Sequence, residues 1–270
     1  MMLNDHTKST NLLESTPSLE LDDYQRQALI QLNELCVQLK AQINKLSWFH
    51  LKSTHALCGI YLVGAVGRGK TMLMDKFASA VGSQCYRVHF HRFMRDIHEH
   101  LRQLSVEHDI NPLKQVAKEI ASEYRVICLD DLWVSDITDA MLLGGLFEHL
   151  HDHGVTLVIT SNTLPDDLYL NGLQRAKFLP TIELLKKFTR VISVNGPVDY
   201  RLRAYRDVSL LYVGAQADQQ LIKRYQQIKS YDTAFDQTIE CQGRTIPVLA
   251  HHNDSILISF DELCQTSRST

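Results

Sequence analysis

The sequence predicts an α/β protein: a parallel sheet with flanking helices, followed by a small mixed α+β subdomain. Three observations carry this expectation. An apolar run, Cys58-Gly59-Ile60-Tyr61-Leu62-Val63, leads straight into Gly64-Ala65-Val66-Gly67-Arg68-Gly69-Lys70-Thr71 and then into a helical segment. Downstream, apolar runs alternate with amphipathic segments, the pattern of βαβ units. After Asn195-Gly196-Pro197 the texture changes to short alternating strands around one helical stretch.

Residues 1–20, rich in Ser, Thr and Asn, read as a disordered tail. Within 21–57, Ala28, Leu32, Leu35, Leu39 and Ile43 recur at helical spacing, and 44–55 has no period and reads as a loop. The core is expected over 58–197, with strands at 58–63, 86–90, 126–129, 155–160 and 190–194. His89 and His91 are expected on one side of the second strand's edge. Helices are expected at about 92–104, from Pro112 at a first turn, and at 137–151 with Gly154 closing the end. Thr163-Leu164-Pro165-Asp166 fits a capping box that starts another helix, and Pro180 is expected to break the path and open a short helix to Phe188. Over 198–270 strand-like alternation at 200–213 precedes a helix at 217–230. Short strands follow at 238–241, 245–250 and 255–260, with a turn at Gln242-Gly243.

The bulk composition points to an ordinary globular chain. Of 270 residues, 44% are hydrophobic and 22% charged, and the net charge of −3 gives no electrostatic footprint for nucleic acid. The six cysteines contain no C-x-x-C spacing and read as reduced thiols. The longest apolar run, 56–66, is too short to span a bilayer. With no apolar or Arg-rich leader pattern, a cytoplasmic place is expected.

Gly64 to Thr71 matches G-x-x-x-x-G-K-[ST] in full. Its glycines let successive N–H groups turn inward on phosphate oxygens. Lys70 would add charge at the β/γ-phosphates, and the Thr71 hydroxyl would ligate Mg²⁺. A plain Gly-rich turn is the bland alternative, but the strand before and helix after place the phosphates at a helix N-terminus. Arg125-Val126-Ile127-Cys128-Leu129-Asp130-Asp131 is an apolar strand ending in two carboxylates. Nucleoside triphosphate hydrolysis needs one acid for the metal and one to orient water. Asp130 suits the first role and Asp131 the second. Asn162, ending the next strand, could contact the γ-phosphate or the lytic water, or merely begin a turn. Arg175 could reach a neighbouring subunit's γ-phosphate, though a salt-bridged helix arginine is the commoner case. His149 and His153 could pair on a metal only if their helix reaches Gly154.

These stretches carry a resemblance. His89-Phe90-His91-Arg92-Phe93-Met94, 134–146 around Ser135-Asp136-Ile137-Thr138-Asp139-Ala140, Asn171-Gly172-Leu173-Gln174-Arg175 and 198–203 are similar to the ZapE-type ATPases of bacteria. These belong, with the mitochondrial ATPase-family-gene-one proteins, to the AAA+ (ASCE) phosphate-loop class. The resemblance implies Mg²⁺-dependent ATP hydrolysis by a homo-oligomer, with FtsZ or other division proteins as partners and a place at the division site, peripheral membrane association being left open. It raises Asn162 to a sensor residue and Arg175 to the leading arginine finger, ahead of Arg201 and Arg203. Two departures stand out: Asp131 occupies a position where the family usually has Glu, and the helical lid that family members carry next does not appear by residue 270. Three readings follow. The first is an ATPase acting on protein partners, the second an ATP-binding switch with little turnover, and the third a helicase-loader-like protein on DNA.

Overall fold

The computed structural model describes residues 21–49, 55–104, 111–196, 199, 216–228, 234–241, 244–252 and 255–259. The chain divides into two units, 1–203 and 204–270.

The first unit is built on five parallel strands: β1 (Gly59–Val63), β2 (Cys85–His89), β3 (Val126–Asp130), β4 (Thr156–Ser161) and β5 (Thr189–Ser193). Their order across the sheet is β2-β3-β4-β1-β5. The three central strands are buried throughout, which is why they read as continuous apolar runs rather than alternating ones. Their side chains nonetheless sort by parity. Tyr61, Val63, Ile127, Leu129, Leu157 and Ile159 pack on the layer of α3 (Phe90–Leu104), α4 (Pro112–Glu123), α5 (Ile137–Asp152) and α6 (Arg175–Phe188). Ile60, Leu62, Val126, Cys128 and Val158 face the opposite layer, α1 (Asp23–Phe49) and α2 (Lys70–Val81). Burial of Leu29, Leu32, Leu35 and Leu39 along one stripe of α1 contributes about 1.5–3 kcal/mol per side chain.

Several local expectations hold in detail. Asn111 caps α4 by accepting from the Lys114 N–H, with Pro112 in the first turn. Asp136 caps α5. At its far end the Val155 N–H donates to the Leu150 carbonyl and the Gly154 N–H to that of His151, the two bonds of a Schellman motif, with Gly154 at φ 83°.

Others are corrected. α1 runs on through Phe49 instead of ending near Asn44, because 44–49 holds no glycine or proline to stop propagation. β2 ends at His89 and α3 begins at Phe90, so His91 lies on a helix and does not share a strand edge with His89. Thr163 starts no α-helix; only a 3-10 turn, Pro165–Asp167, forms. Its hydroxyl lies 3.2 Å from the Ser161 hydroxyl instead of capping. Pro180 sits inside α6 rather than opening it. The proline removes one rung, and the buried stripe Phe178, Ile182, Leu185 and Phe188 holds the helix together across it.

In the second unit, α7 (Ala217–Ile228) precedes an antiparallel sheet of β6 (Ala234–Cys241), β7 (Arg244–His252) and β8 (Ser255–Leu257) in that order. Val248, Ala250 and Leu257 are its buried side chains among the described residues. The expected tail at 1–20, the strand pattern at 200–213 with Arg201 and Arg203, and the turn at 242–243 lie outside the described residues.

Candidate functional site

Strands β3, β4 and β1 are neighbours in the sheet, so their carboxyl ends converge although they are far apart in sequence. Ligands of open parallel sheets bind at such ends. A cavity of about 500 Å³ lies there, lined by Val66 through Met72, His89, Asp130, Asp131, Thr160 and Asn162. It brings together most of the expected site residues: from the loop Val66, Gly67, Arg68, Gly69, Lys70 and Thr71, and with them Asp130, Asp131 and Asn162. Gly64 and Ala65 do not line it; their carbonyls accept from Lys70 Nζ.

The loop runs from β1 into α2. Gly69 precedes the helix at φ 83°, a conformation that costs a residue with a Cβ about 1 kcal/mol or more. Lys70 is 8% exposed. Its Nζ donates to the Gly64 carbonyl at 2.7 Å, to the Ala65 carbonyl at 2.9 Å and to Asn162 Oδ1 at 2.9 Å. Asn162 Nδ2 in turn donates to Asp131 Oδ1 at 3.2 Å. One side chain thus connects the loop ammonium to the second carboxylate.

Asp130 is 1% exposed and fully engaged. Its Oδ1 accepts from the Thr71 hydroxyl at 3.0 Å and the Thr160 hydroxyl at 2.7 Å. Its Oδ2 accepts from Arg87 Nη2 at 2.7 Å and lies 3.4 Å from His89 Nδ1. The same guanidinium reaches Asp75 through Nε at 2.8 Å. Burial works against the Arg87 charge, but Asp75 and Asp130 outweigh it and hold its pKa above the ordinary value.

Asp131 adopts φ 57°, a left-handed turn that Asp tolerates better than longer side chains. Its N–H donates to the Thr160 hydroxyl at 2.8 Å, and the Leu132 N–H to the Thr160 carbonyl at 2.8 Å. Thr160 therefore pins the turn while orienting Asp130.

Arg175 does not line this cavity. It is the first residue of α6; its Nη2 donates to the Asp166 carbonyl at 2.6 Å, while its buried Nε has no hydrogen-bond partner. α5 reaches Asp152 with His153 as its C-cap, and His153 Nδ1 lies 2.7 Å from the His149 carbonyl. Among the described residues no group of three or more His, Cys, Asp or Glu could hold a metal ion.

Arg87, Thr160 and His89 belong to the site but were not expected there. The alternation of Arg87 and His89 along β2 is the available signal, and it becomes informative only with the register that sets His89 beside Asp130.

A five-stranded parallel sheet flanked by helices on both faces, with a glycine-rich loop joining β1 to α2, defines an α/β phosphate-loop protein. A family model described as AFG1-like ATPase matches residues 8–270, and the chain belongs to that family. Among curated proteins it is similar to Cell division protein ZapE of Escherichia coli (strain K12), 41% identical over 237 residues, covering 86% of this chain and 62% of that protein. It is also similar to Lactation elevated protein 1 homolog B of Danio rerio, 37% identical over 226 residues, 78% of this chain and 45% of that one. The chain thus spans less than two thirds of the length of these relatives. Among solved structures, the crystal structure of DnaI has a TM-score of 0.42 at 18% identity, over 60% of this chain and 83% of that one.

Proposed function

We propose that the chain binds ATP with Mg²⁺ in the cavity at the ends of β1, β3 and β4 and hydrolyses it. The observation that carries this reading is the Lys70–Asn162–Asp131 chain of hydrogen bonds. It ties the residue expected at the phosphates to the carboxylate expected at the attacking water. The oxygen donors Thr71 and Asp130 fit a hard cation: both line the cavity, and the Thr71 hydroxyl donates to Asp130 Oδ1. Mg²⁺ held there by Thr71 and Asp130 would supply positive charge against the charge that develops in the reaction.

The chain's own residues then divide the work. Loop N–H groups and Lys70 bind the β/γ-phosphates. Asn162 contacts the γ-phosphate, and Asp131 accepts a hydrogen bond from the attacking water and aligns it. Arg175, outside the cavity of its own chain, serves a neighbouring copy in a homo-oligomer. The protein partners belong to bacterial cell division, FtsZ first among them, and the place of action is the cytoplasmic division site; the Escherichia coli relative, named a cell division protein, supports the division role alone. Among the described residues no helix is long and apolar enough to cross a membrane.

The test is nucleotide binding by Lys70→Ala. We expect it to lose measurable affinity for ATP; unchanged affinity would refute the assignment of the loop.

A second reading, an ATP-binding switch with little turnover, draws on Asp131. Its carboxylate is one methylene shorter than Glu, and a displacement of about 1 Å can cost on the order of 10²-fold in rate. Wild-type turnover measured beside Asp131→Glu separates the two readings: activity only in the variant favours the switch.

A further inference from the structure

We propose that Gln25, in the first turn of α1, is a positioning residue of the phosphate loop; the inference rests on the nucleotide site proposed above. Asp22 and Gln25 form a reciprocal capping box: the Gln25 N–H donates to Asp22 Oδ1 at 2.8 Å, and the Asp22 N–H to Gln25 Oε1 at 3.2 Å. A capping box uses only an acceptor at this position, so Glu would serve as well as Gln. What distinguishes Gln is its amide nitrogen. Gln25 Nε2 donates to the Arg68 carbonyl at 3.0 Å, across 43 positions of sequence. Gln25 is only 1% exposed, so neither end of its amide has water as a ready substitute.

The carbonyl it holds is consequential. In a trans peptide the C=O of Arg68 and the N–H of Gly69 lie in one plane and point in opposite directions within it. Fixing the carbonyl against α1 therefore fixes the direction of the Gly69 N–H, in a residue that lines the cavity. The contact is close: a Cβ built on Gly69 would lie 2.7 Å from Gln25 Nε2. Gln25 thus preorganises part of the anion-binding backbone without touching nucleotide itself.

Gln25→Met keeps the length of the side chain, adds no charge, and removes both hydrogen bonds. Asp22→Ala weakens the same helix end but leaves the backbone N–H of Asp22 and the Arg68 carbonyl as partners for Gln25. Affinity for a non-hydrolysable ATP analogue with Mg²⁺ should fall roughly five- to tenfold in Gln25→Met, the worth of a buried neutral hydrogen bond. In the hydrolysis assay its KM should rise more than kcat falls. Asp22→Ala should lower Tm and keep its affinity within about twofold of wild type. Equal losses in the two variants would reduce Gln25 to a helix cap and overturn the proposal, as would wild-type affinity in Gln25→Met. Wild-type protein that binds no analogue at all would instead overturn the nucleotide site, and this role with it. Should Gln25→Met not fold, hydrogen exchange on wild type decides. Nucleotide should raise protection in 22–30 together with 64–71, and protection confined to the loop would count against the contact.

Discussion

Arg87 Nη2 lies 2.7 Å from Asp130 Oδ2, joining strand β2 to strand β3 at the edge of the cavity. The carboxylate is buried while the guanidinium is a quarter exposed, so the pair sits where desolvation is costly and one partner still touches water. Removing the cation would leave Asp130 with an uncompensated charge. Arg87→Met should therefore destabilise the protein by about 3 kcal/mol, the low end for a broken buried pair because Arg87 is partly hydrated. Chemical denaturation measures this. A variant as stable as wild type would show that Thr71 and Thr160 suffice to hold the carboxylate.

Asp131 is expected to act on turnover and not on binding. Asp131→Asn should lower kcat by about 10²-fold or more while leaving ATP affinity within about twofold. Asn suits the left-handed backbone as Asp does, so the comparison isolates the charge. A parallel fall in affinity would place Asp131 among the binding groups instead.

Arg175→Ala should abolish hydrolysis and spare ATP binding. Mixing it with Lys70→Ala protein should restore part of the activity, because each variant supplies what the other lacks. The absence of rescue at concentrations that support assembly would exclude action between copies.

His151 offers a pH readout. Its ring stacks on Phe188, centroids 3.9 Å apart at 9°. Burial lowers its pKa below the ordinary 6.5, with Lys187 and His55 acting in the same direction and Asp152 opposing. The folded state thus prefers the neutral ring. The contribution is complete above about pH 6.5 and is lost as pH falls through the lowered folded value. Thermal melts from pH 7.5 to 5.5 should show a smaller acid loss in His151→Phe than in wild type. Equal slopes would assign the acid sensitivity to other groups.

Much of the first unit was legible in the residues. The three central strands of the parallel sheet show as short apolar runs, because two-sided burial leaves little room for polar residues. The loop, Asp130, Asp131 and Asn162 were recognisable because each follows such a run, and strand ends are where a parallel sheet gathers its chemistry. Gln25, Arg87 and Thr160 were not, for a physical reason. Their roles depend on which strand lies beside which and on how α1 crosses the loop, and neither leaves a local pattern. The misread helix limits share another cause. Periodicity marks what a helix buries, whereas its ends follow from breakers and neighbours. Residues 44–49 lack a breaker, and Pro180 is overruled by the buried stripe it interrupts.

Pro180 bears on the residue at the head of its helix. Its missing N–H leaves the Ala176 carbonyl without the usual main-chain partner, so the opening turn of α6 is tied to the remainder by one strut fewer. Phe178 on one side of Pro180 and Thr181, Ile182, Leu185 and Phe188 on the other are nonetheless all buried, so both halves of the helix stay seated. Arg175 lies ahead of this buried stripe, so redirecting its guanidinium away from the Asp166 carbonyl is a matter of side-chain torsions and requires no unwinding of the helix.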